Sequence, residues 1–160
     1  MTQQKFDEIM EKHAKWLESR FDGERADICN ENLGGIIAIA YNLCGASLRG
    51  CDLSYCNLSM CNLVGANLAG CDLLGADLYA ADLRDAILCG ANLYGANLER
   101  CMLDGADLRG SNLGGAKVCG TVFGAARMDG ACLSGVNLRV ANISKTDLRY
   151  VRGDPDYYAQ

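Results

Sequence analysis

The sequence is poor in the residues that carry most chemistry. It holds a single histidine, His13, and a single proline, Pro155. No CxxC pair accompanies that histidine, so the spacing of a zinc site is absent. Nucleophilic catalysis of the usual kind needs a base beside a Ser or Cys, and the one histidine stands in a charged N-terminal segment. Neither a phosphate loop nor a dinucleotide fingerprint occurs. No catalytic residue, metal ligand or cofactor is therefore expected, and the chain is not expected to be an enzyme. The longest apolar run, Gly35-Ile36-Ile37-Ala38-Ile39-Ala40-Tyr41, is too short to cross a bilayer, and no membrane contact is expected. The N-terminus lacks the apolar core of a signal peptide, which points to the cytoplasm. With 15 basic against 20 acidic residues and no basic cluster, direct nucleic-acid binding is not expected either.

What is present is a five-residue period. From Ile28 to Leu148 every fifth residue is Leu or another apolar residue, in 25 units without an insertion. Two places before it usually stands Ala or Cys, and one place before it usually Asn or Asp, as in Ala66-Asn67-Leu68, Cys71-Asp72-Leu73, Ala76-Asp77-Leu78 and Ala91-Asn92-Leu93. Two places after it, 14 of the 25 units carry Gly, which accepts the positive φ of a tight corner. Such a period fits neither a 3.6-residue helix nor a plain two-residue alternation. Short extended sides joined by corners fit it, coiled around an inner column of apolar residues.

The period also explains half of the ten cysteines. Cys51, Cys56, Cys61, Cys71 and Cys101 stand where Ala normally does, as small buried hydrophobes. Cys29, Cys44, Cys89, Cys119 and Cys132 fall elsewhere in the unit and share no adjacent column. Free thiols in a reducing compartment are the expected state.

The repeated A-(D/N)-L-x-x unit resembles the pentapeptide-repeat family over roughly residues 26–150. The resemblance implies an all-β solenoid, a right-handed quadrilateral β-helix with four pentapeptides per coil and about six coils. At ~4.8 Å per coil it is roughly 30 Å long. The match weakens at Glu31, Ile36-Ile37 and Tyr41, and again around Lys117-Val118, Thr121-Val122-Phe123 and Arg127-Met128. The Asn and Asp residues before each Leu form files, such as Asn32, Asp52, Asp72, Asn92 and Asn112, whose side chains can hydrogen-bond along the stack.

The ends of such a stack need cover. Residues 1–25 read as an N-terminal capping helix, starting at the N-cap Thr2 and stopping at Asp22-Gly23. Phe6, Ile9, Met10, Trp16, Leu17 and Phe21 share a face with His13, and Glu8–Lys12 and Glu11–Lys15 are spaced as i,i+4 pairs. Ile36, Ile37, Ile39 and Tyr41 are expected in the same capping contact. The tail, 151–160, offers thinner cover. Leu148, Tyr150, Val151, Tyr157 and Tyr158 either fold over the open edge or join two chains there; family analogy favours a homodimer.

The functional expectation is a rigid scaffold of unassigned function that contacts an unknown protein partner. Its candidate surface is Leu74 and Tyr94 on one face, Tyr55 one coil earlier and Tyr79 around the corner. The alternative rests on the resemblance: some family members mimic duplex DNA, bind type II topoisomerases such as DNA gyrase or topoisomerase IV, and modulate quinolone sensitivity. Residues 26–150 hold 12 acidic and 9 basic residues, whereas ~30 Å of duplex carries roughly 18 charges. No side of the coil reads as a continuous acidic stripe, and no long loop interrupts the period. A Leu78→Lys substitution is expected to unfold the middle of the stack; thermal melting of the purified variant checks the register.

Overall fold

The computed structural model describes residues 1–153. One helix, α1 (Gln3–Leu17), precedes a stack of coils with no long strands. Neighbouring coils meet through parallel bridges, one residue at a time, with partners 20 residues apart: Asp52↔Asp72, Asn57↔Asp77, Asn62↔Asp82 and Asn67↔Ile87 make one full turn. Four sides of five residues therefore close each coil, and the bridging residue of every side is the one before the central Leu.

The reason lies in the backbone. In the unit from Asp72 to Ala76, the Asp72 N–H donates to Cys51 O in the coil before at 3.0 Å. The Leu73 and Gly75 N–H groups donate to Asn92 O and Tyr94 O in the coil after, at 2.7 and 3.0 Å. Ala76 N–H closes the corner on Leu73 O at 3.0 Å. The remaining donor, Leu74 N–H, is taken by the side chain of Asp72 at 3.1 Å. All five donors of the pentapeptide are satisfied, as buried or half-buried backbone requires.

The Asx bond recurs at Asn42, Asn57, Asn62, Asn67, Asp77 and Asn97, among others. This local bond is the chief use of the Asn/Asp position. Bonds along the file occur at three places, Asn92 to Asp72, Asn97 to Asp77 and Asn112 to Asn92.

Central residues from Ile28 to Leu138 are buried, and so are the Ala or Cys residues two places before them from Ala46 to Ala131. Val118, Thr121, Phe123 and Met128 keep the register where the pattern looked weakest. Each inward cysteine adds a bond: Cys51, Cys56, Cys61, Cys71 and Cys101 donate to the carbonyls of Ile28, Leu33, Ala38, Leu48 and Leu78. Thr121 does the same to Leu98 O. These carbonyls have a second lone pair free, which a small donor from the next coil can reach.

The corner residue mostly has positive φ whether or not it is Gly: Ala40 (59°), Met60 (58°), Ala80 (55°) and Arg100 (59°) adopt it beside Gly75 (60°) and Gly95 (65°), whereas before Ala125 it is Gly124 (47°) that does. Near the C-terminal end the pattern loosens. A single 3₁₀ turn, Leu138–Val140, replaces a corner, with Asn137 capping Arg139 N–H. Ile143 and Leu148 are half-buried where their predecessors are fully buried.

α1 seats on the first coil. Phe6, Met10 and His13 are buried, and the Phe6 ring stacks on Tyr41 with centroids 5.9 Å apart. The Gln3 side-chain amide imitates a missing coil: it donates to Ile37 O and accepts from Ile37 N–H, both at 2.9 Å. The Tyr41 hydroxyl donates to Asp7 at 2.8 Å.

Four expectations about this cap need correction. The helix stops at Leu17, not at Asp22-Gly23, because Ser19 turns to φ 57° and the Ser19 and Arg20 N–H groups close on Trp16 O and Lys15 O. Beyond that stop Phe21 points fully into solvent. Ile36 is buried and Tyr41 half-buried against α1, but Ile37 and Ile39 are exposed, 60% and 46%, since they flank the inward Ala38. Lys12 and Lys15 pair with Glu24 and Asp22 of the connecting segment, not with Glu8 and Glu11. Gly23 allows that segment to return, since a Cβ there would collide with the backbone of Trp16.

Two kinds of measurement test this fold. Ala80→Gly removes a left-handed penalty of about 1 kcal/mol or more and costs a little less than that in unfolded-chain entropy, so its melting temperature should hold or rise. Asn67→Ala strands the Ala69 N–H and should cost about 1 kcal/mol in a denaturant titration. In a native thiol titration the five inward cysteines should stay silent. Burial raises the Cys51 thiol, takes those of Cys56 and Cys61 to about 11, and takes those of Cys71 and Cys101 to about 12. Cys132, lowered by the Ser134 hydroxyl and backbone N–H, should react early, and Cys132→Ser should remove that phase.

Candidate interaction surface

The outward positions of each unit are the two residues after the central Leu, together with the edge of the Asx residue. Leu74 and Tyr94 occupy the first outward position of one side in successive coils, and Tyr55 stands on that side's corner. Backbone bonds lock them into one sheet-like surface: Tyr55 N–H donates to Leu74 O and Gly75 N–H to Tyr94 O. The side chains of Asp72 and Asn92 hold the Leu74 and Tyr94 N–H groups.

Both tyrosine rings lie along the solenoid axis over glycine. A Cβ at Gly75 would come within 2.7 Å of the Tyr55 ring, and one at Gly114 within 3.0 Å of the Tyr94 ring. The rings remain open to solvent, Tyr55 at 69% and Tyr94 at 54%, while Leu74 is half-buried between coils. Elsewhere in that corner column Gly35, Gly95 and Gly115 have no atom within 4 Å of a would-be Cβ. Tyr79, around the corner, is half-buried with the Arg100 guanidinium 5.8 Å from its ring centroid. Leu74, Tyr55 and Tyr94 thus form one surface, and Tyr79 is engaged separately by a cation–π contact.

At the other end Leu148 and Val151 are half-buried and Tyr150 is 64% exposed, with the Arg149 guanidinium 5.7 Å from its ring. Tyr157 and Tyr158 lie outside the described residues. A second exposed apolar group was missed because its isoleucines were assigned to the cap: Ile37, Ile39 and, one coil on, Met60 at 57% exposure. The signal was available, since Ile37 occupies the Asn/Asp position and Ile39 and Met60 the outward ones.

Charge is spent in local pairs. Asp82–Arg84, Asp107–Arg109 and Asp147–Arg149 each straddle one inward residue, with guanidinium and carboxylate 2.6 Å apart. Arg127 approaches Asp107 as well, at 3.9 Å. The arginine fork beside Asp147 holds its carboxyl down to about 2, and Asp82 and Asp107 are lowered for the same reason. No side carries an unbroken file of unpaired carboxylates among the described residues. A shallow groove of about 410 Å³ between α1 and the connecting segment is lined by Lys5, Glu8, Lys12, Glu24, Arg25 and Asp27 with Ile9, both signs interleaved. Among the described residues no three His, Cys, Asp or Glu side chains are grouped to hold a metal ion, and no helix is long and apolar enough to cross a membrane.

Solved structures that resemble the chain include a trypsin-treated form of QnrB1, described as a plasmid-mediated fluoroquinolone resistance protein, at 19% identity and TM-score 0.49, covering 85% of this chain and 94% of that one. Another is the pentapeptide repeat protein Rfr23 from the cyanobacterium Cyanothece 51142, at 25% identity and TM-score 0.45, covering 79% and 86%. A third, from the Arabidopsis thaliana thylakoid lumen, is 28% identical with TM-score 0.30, covering 69% and 67%. No curated protein matches by sequence. The family model described as pentapeptide repeats matches in eight copies, over residues 46–85, 61–100, 76–115 and 103–139. Those residues are more than half of the chain, and they repeat the unit whose backbone bonds close each coil: the chain belongs to the pentapeptide-repeat family.

Proposed function

We propose that this pentapeptide-repeat protein is a non-enzymatic scaffold that presents a rigid wall to a protein partner. We read the coils as right-handed and about six in number, spanning 26–150 between an N-terminal cap (1–25) and a tail (151–160). The supporting observation is the pair of tyrosine rings, Tyr55 and Tyr94, held open over glycine on a backbone that cannot rearrange. Aromatic side chains bring large contact area at low entropic cost, and a rigid wall loses little freedom on binding. Tyr55, Leu74 and Tyr94 form the centre of the contact and Tyr79 its edge.

The C-terminal edge is a separate contact in this reading. Leu148, Tyr150 and Val151, with Tyr157 and Tyr158 of the tail, join two copies of the chain there. The free thiols support a reducing compartment, which we read as the cytoplasm. DNA mimicry of the kind directed at DNA gyrase or topoisomerase IV has less support, because residues 26–150 hold only 12 acidic against 9 basic residues and arginine forks engage Asp82, Asp107 and Asp147.

Tyr94→Ala combined with Leu74→Ser should weaken a captured partner by about 30-fold or more, at about 2 kcal/mol for a central anchor, with unchanged melting temperature. Binding that survives both changes removes this surface from consideration. A gyrase supercoiling assay separates the alternative: inhibition, or protection from a quinolone, at low protein concentration favours mimicry over the scaffold reading.

A further inference from the structure

We propose that α1 is an acid-releasable latch: protonation of His13 breaks its bond to the Ala26 N–H and frees the helix from the edge of the first coil. His13 is fully buried between α1 and that coil. The Ala26 N–H donates to its Nδ1 at 3.1 Å, so the neutral imidazole carries its proton on Nε2. Nε2 is itself buried without a hydrogen bond. A second proton has only Nδ1 to enter, where it meets an N–H already pointing at the same spot. Protonation therefore sets two donors head to head and buries a charge.

The groups around the ring reinforce this. Burial is the largest influence and holds the imidazole below its ordinary value of 6.5; the Arg25 guanidinium on the connecting segment pushes the same way. The backbone of Cys44, on the first coil, acts in the opposite sense. From α1 itself the Trp16 ring stacks on His13 at 5.4 Å and 14°. The other ties of the cap do not involve histidine: Gln3 to Ile37, Tyr41 to Asp7, and Lys15 to Asp22, whose carboxyl lies below the usual range and stays charged through the same window.

The sign is that of a depressed folded value. The latch has full strength above about pH 6.5 and loses it as pH falls towards and through the lowered value in the docked state. One proton is linked, so the ratio of released to docked helix rises by up to tenfold per pH unit. Release uncovers the N–H and C=O of Ile37, which Gln3 otherwise covers.

The test uses the full chain between pH 7.5 and 5.0. Amide exchange at Ala26 and Ile37, corrected for the intrinsic pH dependence, reports release, and the emission of Trp16, the one tryptophan in the chain, follows in parallel. We expect opening at both amides to rise by up to tenfold per unit below about pH 6.5, while mid-stack amides such as Leu73 and Leu78 stay protected. His13→Gln, whose amide oxygen can accept from Ala26 and does not titrate, should flatten the response. A flat wild-type response, an equal slope in His13→Gln, or mid-stack amides opening with the cap overturns the proposal. If His13→Gln fails to dock at pH 7.5, the wild-type slope at Ala26 relative to Leu73 decides alone.

Discussion

Every backbone N–H of a pentapeptide needs a partner, and where Asn or Asp precedes the central Leu, as in the unit from Asp72 to Ala76, one set of bonds satisfies all five. Two donors go to the coil after, one to the coil before, one closes the corner, and the Asn or Asp side chain takes the last. The rest of the molecule depends on this closure. It forces positive φ at the corner, which Ala80 and Met60 accept even without glycine. It directs the central Leu and the Ala or Cys inward, because those two side chains are what remains on the inner face. Cys56, Cys61, Cys71 and Cys101 fit because a thiol is small enough for the column and can reach a spare carbonyl lone pair.

The same closure confines function to what is left over. Only the outward positions vary freely, so any recognition must be written there, in Tyr55, Leu74 and Tyr94 or in Ile37, Ile39 and Met60. The charges illustrate the limit. An Asp that holds its own Asx bond still has an oxygen free, and an Arg two residues on takes it. That pairing is local, and it engages Asp82, Asp107 and Asp147.

The ends escape the rule and are held by improvised means. At the N-terminal edge there is no earlier coil to accept or donate, so side chains imitate one. Gln3 stands in for a bridging peptide at Ile37, and His13 accepts from Ala26. These contacts were not readable from helical spacing alone, which also put Phe21 on the packed face. The helix stops at Leu17 because Ser19 takes a left-handed conformation, a choice set by how the connecting segment must return against the helix through Gly23. Exposure of Ile37 and Ile39 follows similarly from the inward placement of Ala38 between them.

The period from Ile28 to Leu148 determined, with no structure at hand, which residues enter the core, where most corners fall and why half of the cysteines are there. It could do so because each unit repeats one local hydrogen-bond problem with one solution. Only the tertiary structure decided how the Asn/Asp position is used, how the tyrosines lie on Gly75 and Gly114, which charges pair, and how α1 meets the first coil. The Asx bonds and arginine pairs join residues only two apart, but which acceptor each donor takes is set by side-chain geometry; the tyrosine contacts join residues 20 apart and the cap joins a helix to an edge, and a five-residue pattern carries no record of any of these.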